Sequence, residues 1–200
     1  GMAYHIMLSS VKLCYNKFNA DHAVFCLEGR SWRKDFYEPY KKNRQVARMA
    51  KSVREQEEDQ IMFDSYADMV EFLDTKTNVT MLRNPEAEAD DMIALFIAAH
   101  PNDNHIIVSS DSDYFQLITD NVTMYDGVQN RIITKDGFFK DDKNMTPIKE
   151  KKTGEIKEKV DPEWALFEKC VRGDTSDNIF SAYPGCRKKG TKNKIGMLEA

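Results

Sequence analysis

Two short acidic clusters constrain this chain most. Glu88-Ala89-Asp90-Asp91 opens an apolar helical stretch, and Asp111-Ser112-Asp113 closes an apolar strand-like run. Carboxylates so crowded repel one another, and a fold that gathers them usually does so around divalent cations. A third pair, Asp174 and Asp177 within Arg172-Gly173-Asp174-Thr175-Ser176-Asp177-Asn178, extends the pattern. For one cluster alone, dipole complement in a first helical turn or a simple cap explains the acids as well as a metal does. Their joint position decides between the two.

That position follows from the order of predicted elements. Leu8, Val11, Leu13, Tyr15 and Phe18 recur at helical spacing over Ile6 to Phe18. A short buried-strand run, His22 to Leu27, follows and ends at Glu28-Gly29. Tyr37 to about Gln60 is highly charged and poor in apolar residues, and is expected as a helix or mobile arch outside the core. Met62 to Asp74 is an amphipathic helix with Phe63, Tyr66, Met69, Val70 and Leu73 on one stripe. Val79 to Leu82 is a strand. Asn84 as cap and Pro85 at the first helical position predict a helix from there to Ala99.

A strand over His105–Ser109, a helix from Asp113 to Ile118, and strands at Val122–Tyr125 and Arg131–Ile133 around Asp126-Gly127 come next. Lys140 to Lys159 is lysine-rich and polar, a flexible loop or hairpin with Gly154 at its turn. Asp161-Pro162 starts a helix through Val171. Such alternation implies an α/β fold with a mostly parallel sheet flanked by helices, whose ligands collect at the carboxyl ends of strands. Glu28, Asp111 and Asp113 each follow a strand, and Glu88, Asp90 and Asp91 open the helix after another. Convergence at one sheet edge therefore favours the metal reading.

Charge adds a partner. The formal net charge of −4 does not suggest a nucleic-acid binder, but the average hides an asymmetry. Arg30 to Arg54 is rich in bases, among them Arg33, Lys41, Lys42 and Arg44. Arg187, Lys188, Lys189, Lys192 and Lys194 form a second run without an acid. Bases apart from acidic clusters suit an enzyme that holds a polyanion and processes it at carboxylate-bound metal. Either run taken alone reads equally as solvated surface. Cys14, Cys26, Cys170 and Cys186 have no metal-ligand spacing, and no apolar run approaches a membrane span, so a reduced intracellular compartment is the default.

These residues resemble the 5′-nuclease, or flap endonuclease, family. Glu86 to Leu117 (EAEADDMIALFIAAHPNDNHIIVSSDSDYFQL) is similar to its E-A-D-D helix and S-x-D-x-D-x-x-Q-L strand end. Arg172–Asn178 resembles its G-D-x-x-D-N, and Trp32–Arg44 its F-R-x-x-x-Y-P-x-Y-K-x-N-R segment. The wording is nearest the branch formed by the ribonuclease H (5′→3′ exonuclease) enzymes of T-even-type phages. The resemblance implies a PIN-like catalytic domain over residues 1–160, with an arch at about 37–60 and part of a helix–three-turn–helix DNA-binding region over 161–200. It also implies two Mg²⁺ or Mn²⁺ ions held by Glu88, Asp90, Asp91, Asp111, Asp113, Asp174 and Asp177, with Glu28 where the family carries Asp.

By the same resemblance Lys41 and Arg44 are catalytic contacts to the phosphate at the cut, and Tyr40 stacks on a base. Arg33, Tyr40, Lys41, Lys42, Arg44, Arg187, Lys188, Lys189 and Lys192 bind nucleic acid, with potassium at the C-terminal hairpin. The implied activity is divalent-metal-dependent 5′→3′ exonuclease or flap endonuclease cleavage of DNA or RNA/DNA bearing a 5′ flap or end. Its implied setting is primer or flap removal in phage-type replication, by a monomer in the bacterial cytoplasm.

Three departures stand beside it. Glu28 replaces Asp, the family's first aspartate-bearing strand does not precede Ala3, and bases lengthen the turn at Tyr183–Lys192. The expectation is a chain truncated at both ends. A non-catalytic nucleic-acid-binding relative and a single-strand PIN-type ribonuclease stay open as alternatives.

Overall fold

The computed structural model describes residues 2–150, 153–157 and 160–182. Two compact units divide it, Gly1–Ile93 and Ala94–Ala200. In the first, helix α1 (Met2–Lys17) packs on α4 (Val53–Lys76), and strands β1 (Val24–Leu27) and β2 (Thr80–Arg83) pair in parallel with Val24 opposite Thr80 and Leu27 opposite Arg83. A parallel pair requires a long crossover. Here it consists of α2 (Arg33–Phe36), α3 (Lys42–Met49) and α4. Met69 and Leu73, four apart on α4, are buried together with Leu27 and Tyr40.

The charged arch takes the helical of the two forms expected for it, on α3 and the start of α4. Its second half is the start of α4, which begins at Val53, well before the apolar stripe at Met62. The cause is local and polar. Ser52 Oγ accepts from the Glu55 N–H while Glu55 Oε2 accepts from the Ser52 N–H at 2.8 Å, a reciprocal capping box. Arg54–Glu58 at 3.0 Å and Gln60–Asp64 at 2.7 Å then support the exposed turns at i,i+4 spacing.

A correction concerns Asn84-Pro85. Helix α5 (Ala89–Ala99) starts later than those residues predict. The carbonyls of Pro85, Glu86 and Ala87 accept instead from the N–H groups of Arg30 (2.8 Å), Trp32 (3.1 Å) and Gly29 (2.9 Å). The loop leaving β1 is thus zipped to the loop leaving β2. At their closest point a Cβ on Gly29 would lie 2.0 Å from the Asn84 carbonyl oxygen and 2.5 Å from that of Ala87. Only glycine fits there.

In the second unit β3 (His105–Val108) and β4 (Val122–Asp126) are parallel. β5 (Arg131–Thr134) and β6 (Gly137–Lys140) extend that sheet antiparallel, in the order β3-β4-β5-β6. The α/β class and parallel pairing match the sequence, whereas β6 and its antiparallel edge were not expected. Ile107, Val122, Met124, Ile133 and Phe138 form the buried face, with Ile118 beneath it.

Asp126, wholly buried at the β4–β5 turn, accepts from the Val128 and Gln129 N–H groups at 3.1 Å and pairs with Arg131 Nε at 3.0 Å. Beyond β6 the lysine-rich segment folds back as a hairpin, with bridges Phe139–Pro147 and Lys149–Ile156 and Gly154 at φ 74°. Asp161 caps α6 (Pro162–Arg172) through the Trp164 N–H, as expected. No helix among the described residues is long and apolar enough to cross a membrane.

Candidate active site

In the first unit Glu88, Asp90 and Asp91 each present a carboxylate oxygen, all within 4.8 Å of one another. The late start of α5 explains the arrangement. Glu88 lies just before the helix and Asp90 and Asp91 in its first turn, where unpaired N–H groups favour negative charge. Asp91 Oδ2 accepts from the Glu88 N–H at 3.1 Å, and Asp90 Oδ1 from the Asp91 N–H at 2.8 Å.

Glu88 is only 5 % exposed yet keeps its charge, because donors from one short segment surround it. Oε2 accepts from Ser31 Oγ (2.8 Å), Tyr40 Oη (2.8 Å) and Arg33 Nη1 (3.1 Å), and Oε1 from Lys41 Nζ (2.5 Å). Burial alone would raise its pKa. The Lys41, Ser31 and Tyr40 bonds outweigh that and hold it below the ordinary value. Arg33 also forks onto Asp91 at 2.8 and 2.9 Å, lowering Asp91 and raising its own pKa. Asp90 differs. It makes no ion pair among the described residues, and burial followed by repulsion from Glu88 raises its pKa.

Lys41 takes up its position at a cost, with a left-handed backbone (φ 54°, ψ 18°) uncommon outside glycine. Tyr40 packs inward. The residue is 5 % exposed, and its hydroxyl donates to Glu88 Oε2 at 2.8 Å. Glu28 lies outside the three-carboxylate group. Its Oε2 accepts from the Ala89 N–H at 3.3 Å, capping α5. Lys42 is exposed and paired with Glu38 at 2.6 Å, and Arg44 is exposed on α3.

The second unit holds an acidic group of its own. Asp111 caps the 3₁₀ turn Ser112–Leu117, its Oδ1 accepting from the Asp113 N–H at 2.9 Å. A tight 3₁₀ turn thus replaces the expected helix from Asp113 to Ile118. Lys169 Nζ of α6 stands 2.6 Å from both Asp113 Oδ1 and Asp174 Oδ2. The contact to Asp113 is close but poorly aligned, leaving that buried oxygen without a hydrogen bond. Asp174 Oδ1 accepts from Ser176 N–H (2.8 Å) and Oγ (2.6 Å), and more distantly from the Asp177 N–H.

Burial of Asp174 is outweighed by Lys169 and Ser176, which drive its pKa far down. Lys169 is raised in turn against its own desolvation. Gly173, at φ 72°, lets the loop turn against the Ile179 and Phe180 backbone. Ser31 and Lys169 were not foreseen as site residues. Ser31 carries no sequence signal, while Lys169 could have been found as the base on the helix leading into Gly173-Asp174. Arg187, Lys188, Lys189 and Lys192, with the hairpin expected to hold potassium, lie outside the described residues.

The three carboxylates of the first unit, gathered this closely, suit divalent cations with oxygen ligands. So does the Asp113–Asp174 pair of the second, where one buried oxygen is left without a hydrogen bond. Known proteins agree in fold and sequence. Residues 2–145 match the family described as 5′-3′ exonuclease, N-terminal resolvase-like domain. The chain is 27 % identical over 190 residues to a flap endonuclease Xni of Pseudoalteromonas translucida (strain TAC 125), covering 94 % of this chain and 59 % of that protein. It is 29 % identical over 178 residues to a DNA polymerase I of Rhizobium leguminosarum, covering 88 % of this chain and 14 % of the polymerase.

The fold matches a crystal structure of the bacteriophage T5 D15 protein co-crystallised with metal ions, with TM-score 0.70 and 21 % identity over 92 % of this chain and 64 % of that one. It also matches a T5 D15 flap endonuclease pseudo-enzyme-product complex with DNA and metal ions, with TM-score 0.70 and 20 % identity over 92 % of this chain and 62 % of that one. The chain thus spans less than two thirds of the length of these relatives.

Proposed function

The chain belongs to the family of 5′-3′ exonuclease N-terminal, resolvase-like domains, and from that premise we propose a divalent-metal-dependent 5′→3′ nuclease that hydrolyses phosphodiester bonds. The single observation that carries this reading is the approach of Glu88, Asp90 and Asp91 to within 4.8 Å. Crowded carboxylates of this kind are costly unless cations share them. Glu88, Asp90 and Asp91 would hold metal in the first unit, and Asp111, Asp113, Asp174 and Asp177 in the second. Divalent ions bound there would supply Lewis-acid stabilisation of phosphate oxygens and a water more easily deprotonated.

The remaining work falls to the chain's own groups. Lys41 and Arg33 already neutralise Glu88 and Asp91, so either base is positioned to turn from carboxylate to substrate phosphate. Arg44 and Lys42, exposed on the same helix, would grip the strand entering the site. Arg187, Lys188, Lys189 and Lys192 would follow the backbone of an adjoining duplex, with potassium at that hairpin. The substrate on this reading is DNA or RNA/DNA with a 5′ single-stranded flap or end. The setting is primer or flap removal in phage-type replication by a monomer in the bacterial cytoplasm, through a catalytic domain over 1–160 and a DNA-binding region from 161. The matching relatives named for flap endonuclease activity support this choice of substrate.

Cleavage of a 5′-labelled flap duplex with Mg²⁺ or Mn²⁺, and its loss in EDTA, tests the proposal. Arg44→Ala should lower the rate about tenfold or more while changing stability by no more than ~0.5 kcal/mol, as befits an exposed side chain. Metal-independent cleavage would overturn the reading. Tight flap binding without cleavage would instead establish the non-catalytic alternative.

A further inference from the structure

We propose that Lys169 is an internal stand-in for metal: its ammonium holds Asp113 and Asp174 together in the metal-free protein and must leave both before they take a divalent ion. The inference rests on the metal reading above and goes beyond it by giving a role to a residue that reading does not use. Lys169 Nζ lies 2.6 Å from each of two carboxylate oxygens carried by different elements, the 3₁₀ turn after β3 and the loop after α6. Without a cation between them, Asp113 and Asp174 would repel.

Three details distinguish this ammonium from an ordinary ion pair. Its contact to Asp113 satisfies charge but not direction, leaving a buried oxygen without a hydrogen bond. A spherical divalent ion has no such directional demand and would lose nothing there. The opposite oxygen of Asp174 is fixed by Ser176, so the carboxylate keeps its orientation when Lys169 departs. The Lys169 side chain is 38 % exposed, so the ammonium reaches solvent by rotating about its own stem.

Lys169 is therefore a positioning residue. It pre-assembles the carboxylate pair at the expense of metal affinity, since each ion bound must first displace it. An analogous pairing recurs independently in the first unit, where Lys41 occupies Glu88.

Mn²⁺ binding to the full chain, followed by the electron paramagnetic resonance of free Mn²⁺, provides the test, together with thermal melting in EDTA. Lys169→Met should bind Mn²⁺ roughly tenfold more tightly, because no ammonium competes for the carboxylates. It should melt lower in EDTA and gain more from added Mn²⁺ than the native chain. Lys169→Arg should restore both native values. Should the methionine disturb packing, Lys169→Gln gives the same affinity comparison.

Unchanged or weaker Mn²⁺ binding in the neutral variants, alongside native binding that Asp174→Asn abolishes, would overturn the stand-in role and leave the metal reading intact. Mn²⁺ binding by the native protein that Asp174→Asn leaves unchanged would overturn this inference alone, while native protein that binds no Mn²⁺ would overturn the metal reading and this inference with it.

Discussion

Glu88→Gln should cost the protein both its activity and a large part of its stability. Glu88 is 5 % exposed and accepts from four side chains, two of them cationic. The amide keeps the shape but loses the charge, and its NH₂ replaces one acceptor with a donor facing other donors. Lys41, whose side chain is 18 % exposed, is then left beside a neutral group. Breaking a buried pair on one side costs about 3–5 kcal/mol. The partial exposure of Lys41 and Arg33 lets water recover some of that, so about 2–4 kcal/mol is expected. Cleavage should fall by roughly a hundredfold or more through loss of a metal-holding carboxylate. Urea denaturation and a flap-cleavage assay at saturating metal check the two effects separately. Loss of stability without loss of cleavage per folded molecule would remove Glu88 from the site while leaving its structural role.

Asp126→Asn should be nearly as damaging to stability while sparing the chemistry. Asp126 is wholly buried, and Arg131 opposite it is 12 % exposed. Asparagine still accepts from the Val128 and Gln129 N–H groups but leaves the guanidinium without a counter-charge. The expected cost is about 3 kcal/mol. Asp126 is not among the proposed metal ligands, so cleavage per folded molecule should stay near native at low temperature. A melting temperature unchanged within error would show that Arg131 finds another partner.

How far the sequence could be read depended on the range of the interactions involved. The acidic cluster at Glu88, Asp90 and Asp91 was legible because it rests on local features, a helix beginning and the residues in its first turn. Asp161-Pro162 was legible for the same reason. The capping box at Ser52 and Glu55 is equally local, but it lies in a stretch without apolar spacing, where hydrophobic periodicity carries no helix signal.

Asn84-Pro85 misled for a different reason. The carbonyls of Pro85, Glu86 and Ala87 are claimed by Arg30, Trp32 and Gly29, more than fifty positions earlier, and no window along the chain contains both. The fate of Tyr40 was hidden likewise. A tyrosine amid bases reads as exposed until Glu88 is known to lie beside it. β6 depends on Phe138 and Phe139 pairing back across β5, a short antiparallel return that the parallel pattern concealed.

Gly29 has no side chain to offer substrate or metal, and its pairing through Ala87 leaves no room for even a methyl group. In a survey of variants it would rank with Glu88 in intolerance, although it contributes no chemistry. The backbone crossing it permits joins the exits of β1 and β2 and so holds Glu88 opposite Ser31 and Arg33. Inheritance of this activity would therefore be guarded at a position that no comparison of functional groups would single out.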